Sequence, residues 1–339
     1  MACLVFRAKR IAAAAMLAAV LFSAAAVSSA HPVSVQTAVQ SAVSGSTSSE
    51  TKKTYIKWVE FNVSYLALKK ALNLDVESHQ NGGSLSWIDL LACLAARYGG
   101  NFDRYKSADM DSFAKKIQTQ GLEATTQEMK YFSYYREAYT AVLGGLVGKY
   151  RVNGEEKYGL IGYSPIAKTF PYSDGDDFGA KRTYGYTRPH LGHDMMAQTG
   201  TPVIAVESGI VEALGWNQYG GWRIGIRSFD TKRYYYYAHL RQNRPYAAGL
   251  SLGKTVKAGD VIGYVGRTGY SSRENVNNIQ VSHLHFGLQL IFDESQKEST
   301  NEIWVDMYPL TQLLRQHQSE VYRDAQTKEY YRTQDIEIE

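Results

Sequence analysis

The sequence predicts a two-domain α plus β chain, a small all-helical domain followed by an antiparallel β domain. Three observations carry that expectation. Between residues 54 and 148, apolar side chains recur at helical spacing. From about residue 150, glycine becomes frequent and short apolar runs alternate with turns, the pattern of many short strands. Finally, five of the eight histidines fall between Pro189 and Phe286, inside that second pattern.

The length of 339 residues suits two domains. Residues 1–30 read as a secretion signal. Arg7, Lys9 and Arg10 precede an apolar run from Ile11 to Val27, and the small residues Ser28 and Ala30 lead to a cut before His31. The rival reading is an uncleaved membrane anchor, and the run of about 17 residues is at the short limit for spanning a bilayer. Either reading places the remaining chain outside the cytoplasm, secreted or anchored to the outer face of the membrane. The formal charge of +4 rests largely on that segment. The 37 basic residues less those three leave 34, against 33 acidic ones. So even a balance offers no footing for a nucleic-acid partner. Cys3 leaves with the signal, which makes Cys93 a lone thiol within an apolar run. The expectation is a buried structural thiol and no disulfide framework.

Residues 31–53 are rich in serine, threonine and small residues, and cannot bury enough apolar surface to offset ordering. They are expected as a flexible linker. In residues 54–148, Val59, Val63 and Leu66 suggest a first helix. A second starts near Ser84 or Ser86, carries Leu91, Leu94 and Tyr98, and stops at Gly99-Gly100. Phe113 and Ile117 suggest a short third. Thr125-Thr126-Gln127-Glu128 has capping-box spacing for a fourth, bearing Phe132, Tyr135, Tyr139 and Val142. Asp75, Glu77 and His79 are expected in a solvated loop between helices. Tyr131, Tyr134 and Tyr135 are expected to pack the core or an interdomain face. Residues 149–315 read as the β domain, with strands including Val203–Val206, Ile210–Leu214, Arg223–Arg227, Tyr234–His239, Asp260–Val265 and His285–Phe292. A helix from Pro309 to His317 closes it, leaving residues 316–339 as a charged tail.

The histidines lie in three short segments, His190-Leu191-Gly192-His193-Asp194, Tyr237-Ala238-His239-Leu240 and Ser282-His283-Leu284-His285-Phe286. His283 and His285 are two apart in a strand, so both point to one face. His190 and Asp194 have the spacing of a helical ligand pair, but Pro189 and Gly192 argue for a turn or strand entrance that lets them converge. Two imidazoles and one carboxylate would make a catalytic metal site with a fourth position open. Zinc suits these donors, and manganese or iron would also fit. Alternation puts Tyr235, Tyr237 and His239 on one face. The residues alone leave open which of His283 and His285 binds metal.

The ordered set H-x-G-x-D, Y-x-H-L and H-L-H-F resembles the M23 metallopeptidase family, also called LytM or lysostaphin-type. Thr201–Ala205 with Gly209-Ile210-Val211, and the Gly-rich stretch Gly253–Gly269, agree with it. The resemblance covers about residues 180–310 and implies an antiparallel β metallopeptidase domain of LytM type. It implies one Zn2+ held by His190, Asp194 and His285, with His239 and His283 as assisting catalytic histidines. It further implies an exported endopeptidase acting on the peptide part of bacterial peptidoglycan, in the stem or cross-bridge. Two alternatives stand beside this. One is a non-enzymatic peptidoglycan-binding or regulatory protein of the same type. The other is a bifunctional wall hydrolase in which Glu77 of the helical domain cleaves glycan. His193 is expected as a bystander, since its neighbour Asp194 faces the opposite way. Tyr270–Val281 is longer than the turn usual before the last motif and is expected as a loop on the groove rim. Tyr184 and Tyr186 could line the groove or pack.

Overall fold

The computed structural model describes residues 55–338 apart from 153 and 298, so the leader at 1–30 and the linker at 31–53 lie outside the described residues. The helical region opens with α1 (Tyr65–Gln80), whose first turn is capped by Ser64. Its hydroxyl accepts from the Ala67 N–H. Val59 and Val63 precede this helix in irregular chain, although both are buried. α2 (Trp87–Tyr98) follows and ends on Gly99, which adopts the left-handed conformation (φ 64°) that glycine tolerates without strain. Trp87, Leu90, Leu91, Cys93 and Leu94 are buried along it. α3 (Ser107–Gln120) and the short α4 (Leu122–Thr126) lead to α5 (Phe132–Leu143). The capping-box reading of Thr125 fails. The Thr125 and Thr126 hydroxyls instead donate to the carbonyls of Gly121 and Leu122 inside α4, and α5 starts after Tyr131.

The acidic stretch expected as a loop lies within α1. Asp75 is buried, accepting from the Trp87 amide at 2.8 Å and from the Tyr158 hydroxyl at 2.8 Å. Burial raises its carboxyl against those bonds. The residue therefore ties α1 to α2 and to the first strands. Glu77 is exposed, and the pocket it lines holds no second carboxylate. Tyr135 packs near Tyr139, and the Tyr134 hydroxyl donates to the Trp58 carbonyl.

The strands follow. β1 (Val147–Val152) and β2 (Glu155–Leu160) form a hairpin. β3 (Tyr172–Asp174) leads to the hairpin of β4 (Lys181–Tyr184) and β5 (Tyr186–Pro189), then β6 (His193–Ala197) and β7 (Pro202–Ile204). β8 (Gly209–Asn217), β9 (Gly221–Ser228) and β10 (Arg233–Ala238) form a meander, with β11 (Thr255–Val256) and β12 (Val261–Tyr264) after it. β13 (His283–Leu290) and β14 (Ile303–Val305) precede α6 (Tyr308–Leu314). The main sheet runs β11-β8-β9-β10-β13-β6-β3, with β14 also on β13, and its pairs are antiparallel. A helical region followed by an antiparallel sheet is thus the architecture the patterning predicts.

One core joins the two parts. Tyr139, Val142 and Leu143 of α5 belong to the same buried cluster as Tyr235, Tyr237, Phe286 and Leu288 of the sheet. At the seam, Arg233 is 1% exposed. It donates twice to Glu207, at 2.7 and 2.9 Å, and to the Ala141 carbonyl at the end of α5, at 3.2 Å. The stretch expected as a charged tail is folded. β15 (Val321–Arg323) pairs with β16 (Tyr330–Arg332), and β17 (Ile336–Ile338) adds to β1. Glu329 is buried where it accepts from Tyr264 and Arg244, and these partners order the segment despite its polarity.

Candidate metal centre and groove

Alternation places one face of the sheet in the core and the other under a groove. On β10, Tyr235 and Tyr237 are fully buried, while Tyr236 lines the groove. His239 was expected on the Tyr235 face. It lies one residue beyond β10, and its φ of 60° turns the imidazole to the groove instead. His285 pairs across the ladder with Asp194, and His190 arrives from the turn before β6. Gly192 in that turn has no positive φ. A Cβ there would lie 2.6 Å from the His285 ring and 2.9 Å from the Phe286 carbonyl, so glycine is needed for close approach.

His190 Nε2, Asp194 Oδ1 and His285 Nδ1 converge. His190 Nε2 is 2.8 Å from His285 Nδ1 and 3.0 Å from Asp194 Oδ1, and His285 Nδ1 is 3.1 Å from Asp194 Oδ1. Among the described residues these three form the one cluster of metal-ligating type. Bonds of about 2.0 Å to a tetrahedral ion place ligands about 3.3 Å apart, so the donor set fits a divalent ion with a position left open. The outer partners fit as well. The His190 Nδ1–H donates to the Asp177 carbonyl at 3.1 Å, which leaves Nε2 as the nitrogen facing the cluster. Arg182 donates to Asp194 Oδ2 at 2.9 Å and to Asp177 Oδ2 at 2.6 Å, leaving Asp194 Oδ1 as the inward oxygen.

The charges follow the contacts. Burial disfavours the His190 cation, yet Asp177 and Asp194 outweigh it and hold the imidazolium up to about 9. Burial would raise Asp194, but His190 and His285 hold it far below the usual carboxylate range. His285 is lowered by burial, against the pull of Asp194. His239 is lowered strongly by burial and by the neighbouring His283 and His285.

The other two imidazoles have fixed tautomers. The His239 Nδ1–H donates to the Thr268 carbonyl at 3.0 Å, and the His283 Nδ1–H donates to the Val281 carbonyl at 2.8 Å. A carbonyl only accepts, so each ring keeps Nε2 as its proton-accepting atom. The rings are 4.8 Å apart, and that of His239 is 5.8 Å from the His285 ring. His193 points away from the cluster and bonds Asp174 at 3.1 Å, which also accepts from Arg315 just past α6.

The groove encloses about 390 Å3. Tyr270, at the start of the long loop, stacks on Tyr184 at 5.0 Å. Asn275 pins the loop by accepting from the Trp222 ring N–H at 2.9 Å. The five histidine and aspartate positions singled out by sequence therefore meet at one site. Asp177, Arg182, Arg188 and Arg223 escaped sequence reasoning, because nothing in their spacing links them to the histidine motifs.

Residues 188–300 match the sequence model of Peptidase family M23. The chain is 32% identical over 178 residues to an L-Ala–D-Glu endopeptidase of Bacillus subtilis, covering 52% of this chain and 53% of that protein. It is 38% identical over 98 residues to lysostaphin of Staphylococcus staphylolyticus, covering 29% of this chain and 18% of that one. The chain thus spans about half the length of the first relative and under a fifth of the second. A crystal structure from Ruminococcus gnavus, assigned by name as glycyl-glycine endopeptidase LytM, superposes with a TM-score of 0.53 at 25% identity. The match covers 78% of this chain and 92% of that one.

Proposed function

Because residues 188–300 belong to peptidase family M23, we propose that the protein is a zinc endopeptidase that hydrolyses peptide bonds of bacterial peptidoglycan. One observation carries the reading. Three metal-donor atoms within 3.1 Å of one another share a groove with an imidazole whose free nitrogen is fixed by its tautomer.

His190, Asp194 and His285 would hold the ion. Bound zinc supplies Lewis acidity toward the scissile carbonyl and lowers the pKa of a water to about 7. The protein's own groups then move the protons. With Nδ1 committed to Thr268, His239 offers Nε2 to accept a proton from the attacking water. Its lowered pKa keeps the ring neutral, so Nε2 carries no proton. His283, held likewise, can receive or return a proton at Nε2, or donate from it to the developing oxyanion. Arg182 and Asp177 keep Asp194 and His190 in their binding orientation.

A further relative, 32% identical over 105 residues and named a peptidoglycan DD-endopeptidase of Vibrio cholerae, supports a peptidoglycan substrate, and a leader at residues 1–30 would bring the protein to that polymer outside the cytoplasm. The test is digestion of purified sacculi with fragment analysis by mass. We expect new amino termini, loss of all activity on chelation and recovery with zinc. His285→Ala should lose both activity and bound metal. Full activity in that variant would overturn the assignment.

A further inference from the structure

Resting on the peptidase reading above, we propose that the groove contains a carboxylate-binding subsite built on Arg188 and Arg223. The substrate is then a peptide bearing a free carboxylate near the scissile bond rather than a neutral glycine bridge.

The charge inventory of the cavity is unbalanced. Four cations line it, Arg182, Arg188, Arg223 and Lys297, against the carboxylates Asp194 and Glu302. Asp194 is engaged by Arg182 and the histidines, and Lys297 is paired with Glu212. Glu302 accepts from the neutral Trp304 ring N–H at 2.9 Å and, among the described residues, forms no ion pair with these cations. Arg188 and Arg223 remain, and among the described residues neither has a carboxylate partner. Arg188 lies 4.7 Å from the Tyr219 ring and 5.4 Å from the Tyr270 ring. Those rings attract the cation but accept none of its in-plane donors.

The hydrogen-bond inventory points the same way. Arg188 Nη1, Arg223 Nε and Gln289 Nε2 are buried without a hydrogen-bond partner, and all three side chains line this cavity. Buried donors without acceptors are costly. A carboxylate brings about four acceptor sites and a negative charge, and its two oxygens match the planar fork of a guanidinium. A glycine bridge brings carbonyl oxygens but no charge.

The surplus flanks the reaction site. Arg188 precedes His190 by two residues and packs over Tyr270, whose ring is 5.8 Å from that of His239. Tyr236, in the same groove, has its ring 5.8 Å from that of His285. Burial raises the Tyr236 hydroxyl, and the nearby Arg223 charge opposes that rise. A carboxylate held here would position the peptide across the three metal-donor atoms.

The experiment uses the full-length, zinc-loaded protein and three synthetic peptides. Two are stem peptides that differ in one group, the free α-carboxylate of the γ-linked glutamate or its amide. The third is pentaglycine. Binding is read by stopped-flow fluorescence ahead of turnover, and cleavage by steady-state kinetics. We expect the carboxylate peptide to bind roughly 10–100-fold tighter than the amide, the margin of a charge-assisted hydrogen-bond pair. Arg188→Gln and Arg223→Gln should each shrink that margin by raising KM for the carboxylate peptide, with kcat and the amide peptide nearly unchanged. Arg188→Lys keeps the charge without the fork and should restore part of the margin. Thermal unfolding of each variant identifies any that fails to fold, and the others then carry the test. Equal affinity for the two stem peptides, equal losses on both in the arginine variants, or a preference for pentaglycine overturns the subsite. A persistent carboxylate margin with no cleavage of any peptide overturns the peptidase reading and leaves the subsite standing.

Discussion

Gly192 sets the tolerance of the centre. Its hydrogen stands where a Cβ would meet the His285 ring at 2.6 Å, with the Phe286 carbonyl closing the other side. Gly192→Ala must therefore displace a ligand or bend β6. A shift of about 1 Å at a reacting centre costs roughly 100-fold in rate. We expect a kcat loss of about that size together with weaker metal retention, measured by kinetics and metal analysis. A variant with normal metal content and rate would contradict this account. The site was legible in the sequence at this scale only in part. Strand alternation brought His283 and His285 to one face, and Pro189 with Gly192 argued for a turn that lets His190 and Asp194 converge. Alternation misplaced His239 because a single left-handed residue past the strand end reverses its direction. Asp177 and Arg182 were illegible because they act through contacts set by tertiary folding.

Among the elements, α5 and β10 are joined by the buried Arg233–Glu207 pair, to which the Tyr235 hydroxyl adds a bond at 2.7 Å. Burial raises Glu207 and Arg233 opposes that rise, so the carboxylate depends on its partner. Removing Glu207 leaves the buried Arg233 charge with the partly exposed Asp230, at 2.9 Å, as its remaining carboxylate partner. Glu207→Ala should cost about 3–5 kcal/mol, read as a shift in urea midpoint, and should speed amide exchange at the end of α5. An unshifted midpoint would remove the seam from the account. The helices were readable where local chemistry decides, as at Gly99. β15 to β17 were not. They are short and polar, and their order comes from partners far away in sequence, β1 for β17 and Tyr264 for Glu329.

For the whole molecule, the shared core argues against independent halves. Residues 53–339 cluster as one compact unit, and α5 buries its apolar face in the cluster that holds the sheet. Heating should produce one transition in which calorimetric and van't Hoff enthalpies agree. Two separated transitions would show that the seam is weaker than its burial indicates. The division into a helical and a β part was legible from periodicity. Their fusion was not, because the residues at the seam look like ordinary core residues of either part.

Cys93 adds a consequence of a different kind. Its thiol is fully buried in α2, and burial pushes it up to about 12. Within residues 31–339 it is the single cysteine. A maleimide or other alkylating agent can thus reach it only when α2 leaves the core. Labelling would serve as an intrinsic clock for opening of the fold, one that needs no engineered probe and leaves the groove untouched.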